Sequence, residues 1–373
     1  MKDFGLPYPS DLYLEGSDQY RGWFNSSIIT GFIAEGKSPY KELLSHGFVL
    51  DGKGIKMSKS IGNVLTPKQV TATKGADILR LWVSTTDFQS DVRVSDEIIN
   101  QVSEVYRRYR NTLRFLLGNL NDFNEANLVD YKDLKEVDQF MLVKLDNLIV
   151  EVKDAYENYE FKKVIDTINN YITIEMSSFY MDFIKDIIYI TKEDDLRRRQ
   201  VQTVLYKHLD ALINLMTPIL PHTTYEANNL FKEELVFLND FPEAGNLKDD
   251  ALVAKYEKLL AIRNDVNKAI EEKRNEKVIG KSLETMVTIK PNAEALEILN
   301  SVEDLELLFI VSKLVITESD INGLDLDSGS ILVEKYDHVE CERCRKYFEE
   351  KDIVKVTLEE EHNICTTCNE IIK

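Results

Sequence analysis

The sequence predicts a multidomain protein: a mixed α/β region, an all-α helical bundle, a small α/β element and a C-terminal cysteine module. Residues 1–95 mix short apolar runs with Gly and Pro turns, as α/β regions do. Residues 96–245 have apolar side chains at three- and four-residue spacing, which is typical of helices that pack into a bundle. All four cysteines lie after residue 340, so the tail is a region of its own.

Length and hydropathy exclude several classes of protein. The 373 residues suffice for about two to four domains. No apolar run approaches the roughly 20 residues that span a bilayer. The first residues lack the charged and apolar segments of a signal peptide. We therefore expect a cytoplasmic protein with no membrane partner.

The charge is strongly acidic but unevenly distributed. The net charge is −19, which argues against indiscriminate binding of polyanions. Residues 1–122, however, contain 15 Lys/Arg and 14 Asp/Glu and are nearly neutral. A nucleic-acid partner would therefore be recognised through a few placed basic side chains.

Three segments predict the order of elements in the α/β region. The alternating "DLYLEG" (11–16) predicts a strand, and "GWFNSSIITGFI" (22–33) predicts a helix after Gly22. "HGFVLD" (46–51) predicts a short buried strand. This strand leads into "GKGIKMSKSIGN" (52–63), which we call the lysine loop.

The bundle is predicted to contain about five helices. The first follows Ser95, a residue type that caps helix N-termini. A turn-rich linker at 239–250 separates the bundle from a long polar helix and the small α/β element. The predicted domains are residues 1–95, 96–245, 246–335 and 336–373.

The cysteines form two CxxC pairs separated by 20 residues. Two residues between thiolates allow both sulfurs of a pair to reach one ion at about 2.3 Å, and two pairs complete a tetrahedron. A redox pair or two disulfides are the alternatives, which a cytosolic setting disfavours. We predict one structural zinc ion, with no open position for catalysis, held by Cys341, Cys344, Cys365 and Cys368.

The lysine loop contains three lysines, three glycines and no acidic residue. Lysines on a mobile loop can neutralise the charge that develops during phosphoryl or nucleotidyl transfer. From composition alone such a loop is more often a solvated turn, and it does not match the P-loop pattern. Phosphate binding is therefore one of two interpretations that the composition allows.

The residues "KMSKS" (56–60) match the signature loop of the class I aminoacyl-tRNA synthetases letter for letter. The segments "DLYLEGSDQYRGWFNSS" and "MTPILPHTTYE" and the terminal CxxC pairs resemble bacterial isoleucyl-tRNA synthetases specifically. The resemblance covers essentially the whole chain. It implies a partial Rossmann-like catalytic domain, a helical anticodon-binding domain and a terminal zinc module.

The resemblance also implies roles for residues after the first strand. Glu15 and Gly16 would line the aminoacyl-adenylate site, and Asp18 would hold the ribose hydroxyls. Gln19 would contact the aminoacyl group, and Trp23 would wall the isoleucine pocket. Two carboxylates suit an ammonium and a diol, and an indole suits a branched alkyl chain. The alternatives are a helix-capping role for Asp18 and a core position for Trp23.

ATP would be bound by the strand before the lysine loop and by the loop itself. His46 and the backbone near Val49 would lie beside adenine. Lys59 first, and Lys56 second, would stabilise charge while the isoleucine carboxylate attacks the α-phosphate, with Mg²⁺ sharing that task. The neighbouring hydroxyl groups belong to Ser58 and Ser60.

The bundle resembles the anticodon-binding domain of the family, which makes tRNA(Ile) an expected partner beside ATP and isoleucine. A solvated basic face is the alternative interpretation of its arginines, and we expect a monomer. The arginines placed to contact tRNA phosphates are Arg107, Arg108, Arg110 and Arg114.

The sequence contains neither the HIGH-like motif of the family nor its large editing insertion. We expect the N-terminal half of a synthetase as a partner, and no adenylate formation by this chain alone. A free-standing tRNA-binding module and a valyl or leucyl relative are the alternatives. The intact lysine loop and "LEGSDQ" (14–19) favour the enzyme, because a pure binding module needs neither.

Overall fold

The computed structural model describes residues 5–232, 234–357 and 361–372, which form two compact units. The first contains the described residues up to 114, together with 151–169 and 213–241. The second contains residues 115–150, 170–212 and those from 242 onward. Both units therefore combine segments that are distant in the sequence.

The α/β region belongs to the first unit and contains two pairs of parallel strands. Strand β1 pairs with β2, and β3 pairs with β4. The elements are β1 (Ser10–Gly16), α1 (Trp23–Glu35), β2 (Tyr40–His46), β3 (Val49–Asp51), α2 (Pro67–Lys74), α3 (Ala76–Ser84) and β4 (Val92–Val94). The predicted first strand and first helix are present.

Local sequence explains where α2 and α3 begin. The Thr66 hydroxyl accepts a hydrogen bond from the backbone N–H of Gln69, and the Gln69 side chain accepts the Thr66 N–H. This reciprocal capping box, with Pro67 in the first turn, starts α2. Gly75, at φ +92°, ends α2 and allows α3 to begin at the next residue.

The predicted short strand at "HGFVLD" is confirmed only in part. Strand β3 leads into the lysine loop but covers only Val49–Asp51, β2 already ends at His46, and the predicted burial is wrong. Phe48 and Val49 are 44% and 41% exposed. A short apolar run indicates a strand, but it does not determine whether other elements cover the faces of that strand.

Helix α1 leaves most of its apolar side chains exposed. Phe24 is its one buried residue among 13. Monomeric proteins rarely expose a contiguous apolar face of this kind, and such a face commonly marks a site of contact with another surface. The exposed apolar residues of this helix are Trp23, Ile28, Ile29, Phe32 and Ile33.

The helical bundle follows. Its first helix begins after Ser95, whose hydroxyl accepts the N–H of Ile98 at 3.3 Å, as a cap does. The helices are α4 (Asp96–Gly118), α5 (Glu136–Glu157), α6 (Phe161–Tyr171), α7 (Met181–Phe183), α8 (Lys185–Ile190), α9 (Leu196–Met216) and α10 (Pro221–Phe231).

A nine-residue π-helix, Ile172–Tyr180, continues α6 and was not predicted. It places the Tyr180 hydroxyl 2.7 Å from Asp138, where it donates a hydrogen bond to the fully buried carboxylate. Arg197 forms an ion pair with the same carboxylate. A buried charge is tolerated when it is paired and hydrogen-bonded in this way.

After the bundle, a long helix leads to a four-stranded mixed sheet with strand order β6-β5-β8-β7. The small α/β element is therefore present. The elements are α11 (Asp250–Asn275), β5 (Thr285–Pro291), α12 (Ala293–Asn300), α13 (Leu305–Phe309), β6 (Lys313–Ile316), β7 (Leu324–Leu326) and β8 (Gly329–Lys335).

The tail forms two short antiparallel hairpins and a final helix. Its elements are β9 (Val339–Glu340), β10 (Tyr347–Phe348), β11 (Ile353–Thr357), β12 (Glu361–Cys365) and α14 (Thr366–Ile372). Among all the described helices, none is both long enough and apolar enough to cross a membrane.

Candidate functional site

The carboxyl ends of β1 and β2 bring three of the predicted site residues together. Gly16 and His46 are partners in the parallel register. A Cβ atom on Gly16 would lie 2.7 Å from the Asp18 carboxylate and 3.7 Å from the His46 ring. Glycine therefore allows the Asp18 carboxylate to approach the end of the strand, whereas the distance to His46 is an ordinary van der Waals contact. Side chains at this end of parallel strands are those that commonly bind ligands.

Gln19 and Trp23 are linked directly. The Gln19 side-chain carbonyl accepts the Trp23 backbone N–H at 2.9 Å, and its amide donates to Asp18 at 3.3 Å. The Trp23 indole stacks on Tyr13, with ring centroids 4.6 Å apart. Trp23 is 45% exposed, so it is not a core residue among the described elements. Glu15 is also exposed.

The lysine loop begins at the end of β3 with a tight turn. The Asp51 N–H donates to the Ile55 carbonyl at 2.9 Å. The Asp51 carbonyl accepts the Gly54 N–H, also at 2.9 Å. The Asp51 carboxylate accepts the N–H groups of Lys53 and Ile55 at 3.0 and 2.8 Å. These bonds fix residues 51–55 before the lysine-rich segment.

Asn63 was missed by sequence reasoning. Its side-chain amide donates to the Asp51 carboxylate at 2.8 Å, and its side-chain oxygen accepts the Ser58 N–H at 2.9 Å. The available signal was an Asn that directly follows Gly62 at the end of a loop. Asn in such positions often hydrogen-bonds to nearby backbone groups.

The two candidate catalytic lysines are exposed and unpaired within the described chain. Lys56 Nζ lies 5.9 Å from the Phe48 ring centroid, and neither Lys56 nor Lys59 has an ion-pair partner among the described residues. The hydroxyls of Ser58 and Ser60 lie 3.0 Å apart. The loop thus presents free positive charge, as a site for a phosphate would.

Helix α3 is anchored to the start of α10, a link that sequence analysis did not predict. The buried Asp77 carboxylate accepts the Thr223 N–H and hydroxyl at 2.7 and 2.6 Å. Arg80 donates to the carbonyls of Pro218 and Ile219 at 2.6 and 2.9 Å. The α/β region and the bundle are therefore joined by hydrogen bonds inside the first unit.

Three of the four predicted tRNA-binding arginines have protein partners. Arg107 pairs with Glu104 at 2.9 Å, and Arg108 donates to Asn169 at 3.1 Å. Arg110 forms a bidentate pair with Glu226 at 2.7 and 2.8 Å, and the bonded carboxylate raises the pKa of Arg110.

Spacing on α4 places Arg107, Arg110 and Arg114 on one helix face. All three are exposed, whereas Arg108 is half-buried. Arg114 has no acidic partner within ion-pair distance in the described ranges. Arg114 is therefore the arginine of this face that is most available to a phosphate.

The structure brings the four cysteines into one cluster. The sulfur atoms of Cys341, Cys344, Cys365 and Cys368 all lie within 4.8 Å of one another, and every side chain is buried. The Cys344 and Cys365 sulfurs are 4.0 Å apart, about twice a disulfide bond. Four sulfurs at about 2.3 Å from one ion would lie roughly 3.8 Å apart, so the donor set fits a tetrahedral metal.

Backbone donors surround these sulfurs. The Cys365 N–H donates to the Cys341 sulfur at 3.2 Å, and the Cys368 N–H donates to the Cys365 sulfur at 3.4 Å. Hydrogen bonds from the Cys344 and Cys365 side chains lower the pKa of the Cys341 thiol, whereas bonds to neighbouring thiols raise the pKa of Cys344 and burial raises the pKa of Cys368. The fit to a metal therefore rests on the spacing of the four sulfurs and on their burial.

The cysteine module packs on α8. Arg343 donates to the Ile190 carbonyl at 2.6 Å, and Lys346 pairs with Asp186 at 3.4 Å. The module's buried cluster consists of the four cysteines and Ile364. The cysteines provide four of the five buried side chains of this core, so an ion bound by them would contribute much of its stability.

Two family models match the chain. The model "tRNA synthetases class I (I, L, M and V)" matches residues 1–95, and the model "Anticodon-binding domain of tRNA ligase" matches residues 138–289. The first covers the region with the lysine loop, and the second covers most of the bundle, the whole of α11 and part of β5.

Curated relatives are highly similar over nearly all of the chain. The chain is 54% identical over 349 residues to an isoleucine–tRNA ligase of Bacillus cytotoxicus, covering 91% of this chain and 38% of that protein. It is 51% identical over 381 residues to the enzyme of Bacillus mycoides, covering 99% of this chain and 41% of that protein. The chain thus spans about two fifths of the length of these relatives.

Two solved structures share the fold at lower sequence identity. A leucyl-tRNA synthetase of Agrobacterium radiobacter, in a ternary complex with tRNA and LeuAMS, matches 80% of this chain and 34% of its own with a TM-score of 0.51 and 18% identity. Methionyl-tRNA synthetase of Mycobacterium tuberculosis, bound by methionyl-adenylate, matches 66% of this chain and 46% of its own with a TM-score of 0.51 and 20% identity. The predicted resemblance is therefore confirmed in sequence and in fold.

Proposed function

We propose that this chain, a homologue of the isoleucine–tRNA ligases of Bacillus, provides the lysine loop and the tRNA-recognition part of an enzyme that joins isoleucine to tRNA(Ile). The observation on which the proposal rests is the identity of 50–54% along nearly the whole chain. The alternatives, a valyl or leucyl enzyme or a pure binding module, have no comparable support.

The adenylate-binding residues are proposed to be those at the ends of β1 and β2. Glu15 is suited to the isoleucine ammonium and Asp18 to a ribose diol, because both are exposed carboxylates near the end of a parallel strand. The partly exposed Trp23 provides an apolar surface for a branched side chain. Gln19 lies between Asp18 and Trp23 and is hydrogen-bonded to both.

The lysine loop is proposed to act on ATP. When the isoleucine carboxylate attacks the α-phosphate, negative charge builds up on the phosphate oxygens and on the leaving pyrophosphate. Lys59 and Lys56 would stabilise that charge most strongly in the transition state, which is where stabilisation accelerates a reaction. Bound Mg²⁺ would add further charge neutralisation. His46 and Val49 would border the adenine.

The bundle is proposed to contact tRNA through the exposed face of α4. Arg114 is free to bind phosphate, and Arg107 and Arg110 would have to exchange carboxylate partners for phosphates. That exchange costs part of the binding energy, particularly at the bidentate Arg110–Glu226 pair. Arg108 is assigned a smaller role because it is half-buried and bonded to Asn169.

The cysteine cluster is proposed to bind one zinc ion. Four buried thiols with tetrahedral spacing leave no position for a substrate, so the ion would be structural. The module packs on α8 through Arg343 and Lys346 and would stabilise the recognition half of the protein.

The test of this proposal is binding of the chain to an isoleucine tRNA transcript across a salt series. A transcript with a swapped anticodon and a valine tRNA are the comparison ligands. We expect preferential binding to the isoleucine tRNA that weakens steeply with salt. Arg114→Ala should reduce the slope of the salt dependence by about one unit, whereas Glu226→Gln should strengthen binding by releasing Arg110.

Equal binding to all three transcripts would overturn the proposed recognition of tRNA(Ile). A change in affinity without a change in salt slope for Arg114→Ala would exclude a phosphate contact at that residue. Circular dichroism of each variant controls for loss of helical structure.

A further inference from the structure

Two side chains next to the candidate catalytic lysines are joined to each other. Asp51 ends β3, and Asn63 follows the lysine-rich segment, 12 residues later. The Asn63 amide donates to one Asp51 carboxylate oxygen at 2.8 Å and lies 3.4 Å from the Lys56 carbonyl, to which it also donates. We call this pair of residues the Asp51–Asn63 bridge.

The bridge closes the segment that contains Lys59. The Asn63 side-chain oxygen accepts the Ser58 N–H at 2.9 Å, and the Gly62 N–H donates to the Ser58 carbonyl at 3.1 Å. Gly62 has φ +75°, a conformation that favours glycine. Residues 58–63 therefore form a closed turn with Lys59 near its tip, and this turn is connected to β3 by the bridge.

The bridge also contributes to the set of groups that hydrogen-bond to the Asp51 carboxylate. One carboxylate oxygen accepts two backbone N–H groups and the other accepts Asn63, and these bonds lower the pKa of Asp51, the largest effect being that of Asn63. Asp51 thus stays ionised, yet in the described structure neither Lys56 nor Lys59 pairs with it. Asn63 occupies the carboxylate oxygen that the two backbone N–H groups leave free.

We propose that Asn63 is a positioning residue of the lysine loop, which holds the backbone of Lys59 at a fixed place. This inference rests on the proposed function of the loop in ATP chemistry. Its structural part, that the bridge orders the loop, stands on the hydrogen bonds alone.

The structural part is tested on the chain itself by trypsin, which cleaves after Lys56 and Lys59. Asn63→Ala should speed cleavage at these two sites by roughly fivefold, about the effect of losing one or two net hydrogen bonds. Cleavage after the exposed Lys277, at the end of α11, is the internal reference. Ile61→Ala is the matched control, because this side chain is 64% exposed in the same turn.

A double-mutant cycle identifies the partner. Asp51→Ala should also accelerate cleavage, and the double variant should cleave more slowly than the product of the two single effects predicts, because the bond that the two residues share is lost only once. Multiplicative effects of the two substitutions would show that the residues act independently, which would overturn the bridge. Unchanged cleavage in Asn63→Ala would overturn it as well.

The positioning role is tested in a chimera in which this chain replaces the matching segment of the Bacillus cytotoxicus relative. In isoleucine-dependent exchange of pyrophosphate into ATP, Asn63→Ala should lower kcat by about tenfold and leave the KM for isoleucine unchanged. A purely structural role would change both or neither. Normal kcat in a variant that trypsin cleaves faster would overturn the positioning role.

A chimera with the unaltered chain that shows no isoleucine-dependent exchange would overturn the proposed function, and the positioning role with it. The trypsin result would still decide whether the bridge exists. The two failures are therefore distinguishable.

Discussion

The helical bundle and the α/β region differ in how they bury apolar side chains. In α9, Val201, Leu205 and Leu209 are completely buried, as are many residues of the neighbouring helices. In α1, Phe32 and Ile33 are 64% and 79% exposed. The bundle therefore stabilises itself, whereas the α/β region presents a surface suited to being covered. The hypothesis to be tested is that a part of the longer relatives, outside the segment that aligns with this chain, covers this surface.

The cysteine module differs from both regions in what it buries, since its core consists mainly of its four thiols. Removal of the metal from the purified protein with a chelator is expected to have the largest effect of all. In small zinc modules the metal contributes on the order of 10 kcal/mol to folding. Trypsin should then cut rapidly within 336–372, and zinc, but not magnesium, added back before the trypsin should restore resistance.

Persistent protease resistance of the tail after complete zinc removal would contradict the metal's role. The helical signal of the bundle controls for general unfolding, because α9 has an apolar core that needs no metal. Metal content measured before and after chelation establishes that the ion was present and then removed.

A smaller effect is expected from truncation of a bundle residue. Leu209→Ala should lower the free energy of unfolding by about 2–5 kcal/mol, because it removes a fully buried side chain and leaves a cavity. Urea denaturation followed by circular dichroism measures this change. A loss below about 1 kcal/mol would mean that the bundle is not a closed core.

The smallest effect is expected from a comparable truncation in the exposed apolar face of α1, in the α/β region. Ile33→Ala removes an aliphatic side chain of similar size but should change the free energy of unfolding by less than about 0.5 kcal/mol. In the chimera with the Bacillus cytotoxicus segment, the same substitution should become clearly destabilising. An equal loss of unfolding free energy in the chain and in the chimera would contradict the hypothesis that the added segment covers α1.

Patterns that depend on local chemistry were predictable from the sequence. Ser95 marked the start of α4, and the CxxC spacing placed the four sulfurs in one cluster. Alternation and helical spacing identified β1 and α1. In each case a few neighbouring residues determine the geometry, so no knowledge of distant segments was needed.

Features that depend on distant partners were not predictable. The Arg110–Glu226 pair joins residues 116 positions apart, and the Asp77 contact with Thr223 joins residues 146 positions apart. The π-helix at Ile172–Tyr180 follows the same apolar periodicity as an α-helix over a short window. The exposure of β3 depends on which elements pack on its faces, and its own residues do not specify those elements.

The central claim is that the lysine loop stabilises the transition state of isoleucine activation. The most direct test compares the chimera and its Lys59→Ala variant in isoleucine-dependent exchange of pyrophosphate into ATP. We predict a loss of kcat of at least about 100-fold with little change in the KM for isoleucine, as expected for a contact made mainly in the transition state. An equal loss in kcat and in isoleucine binding, or no loss at all, would contradict the claim.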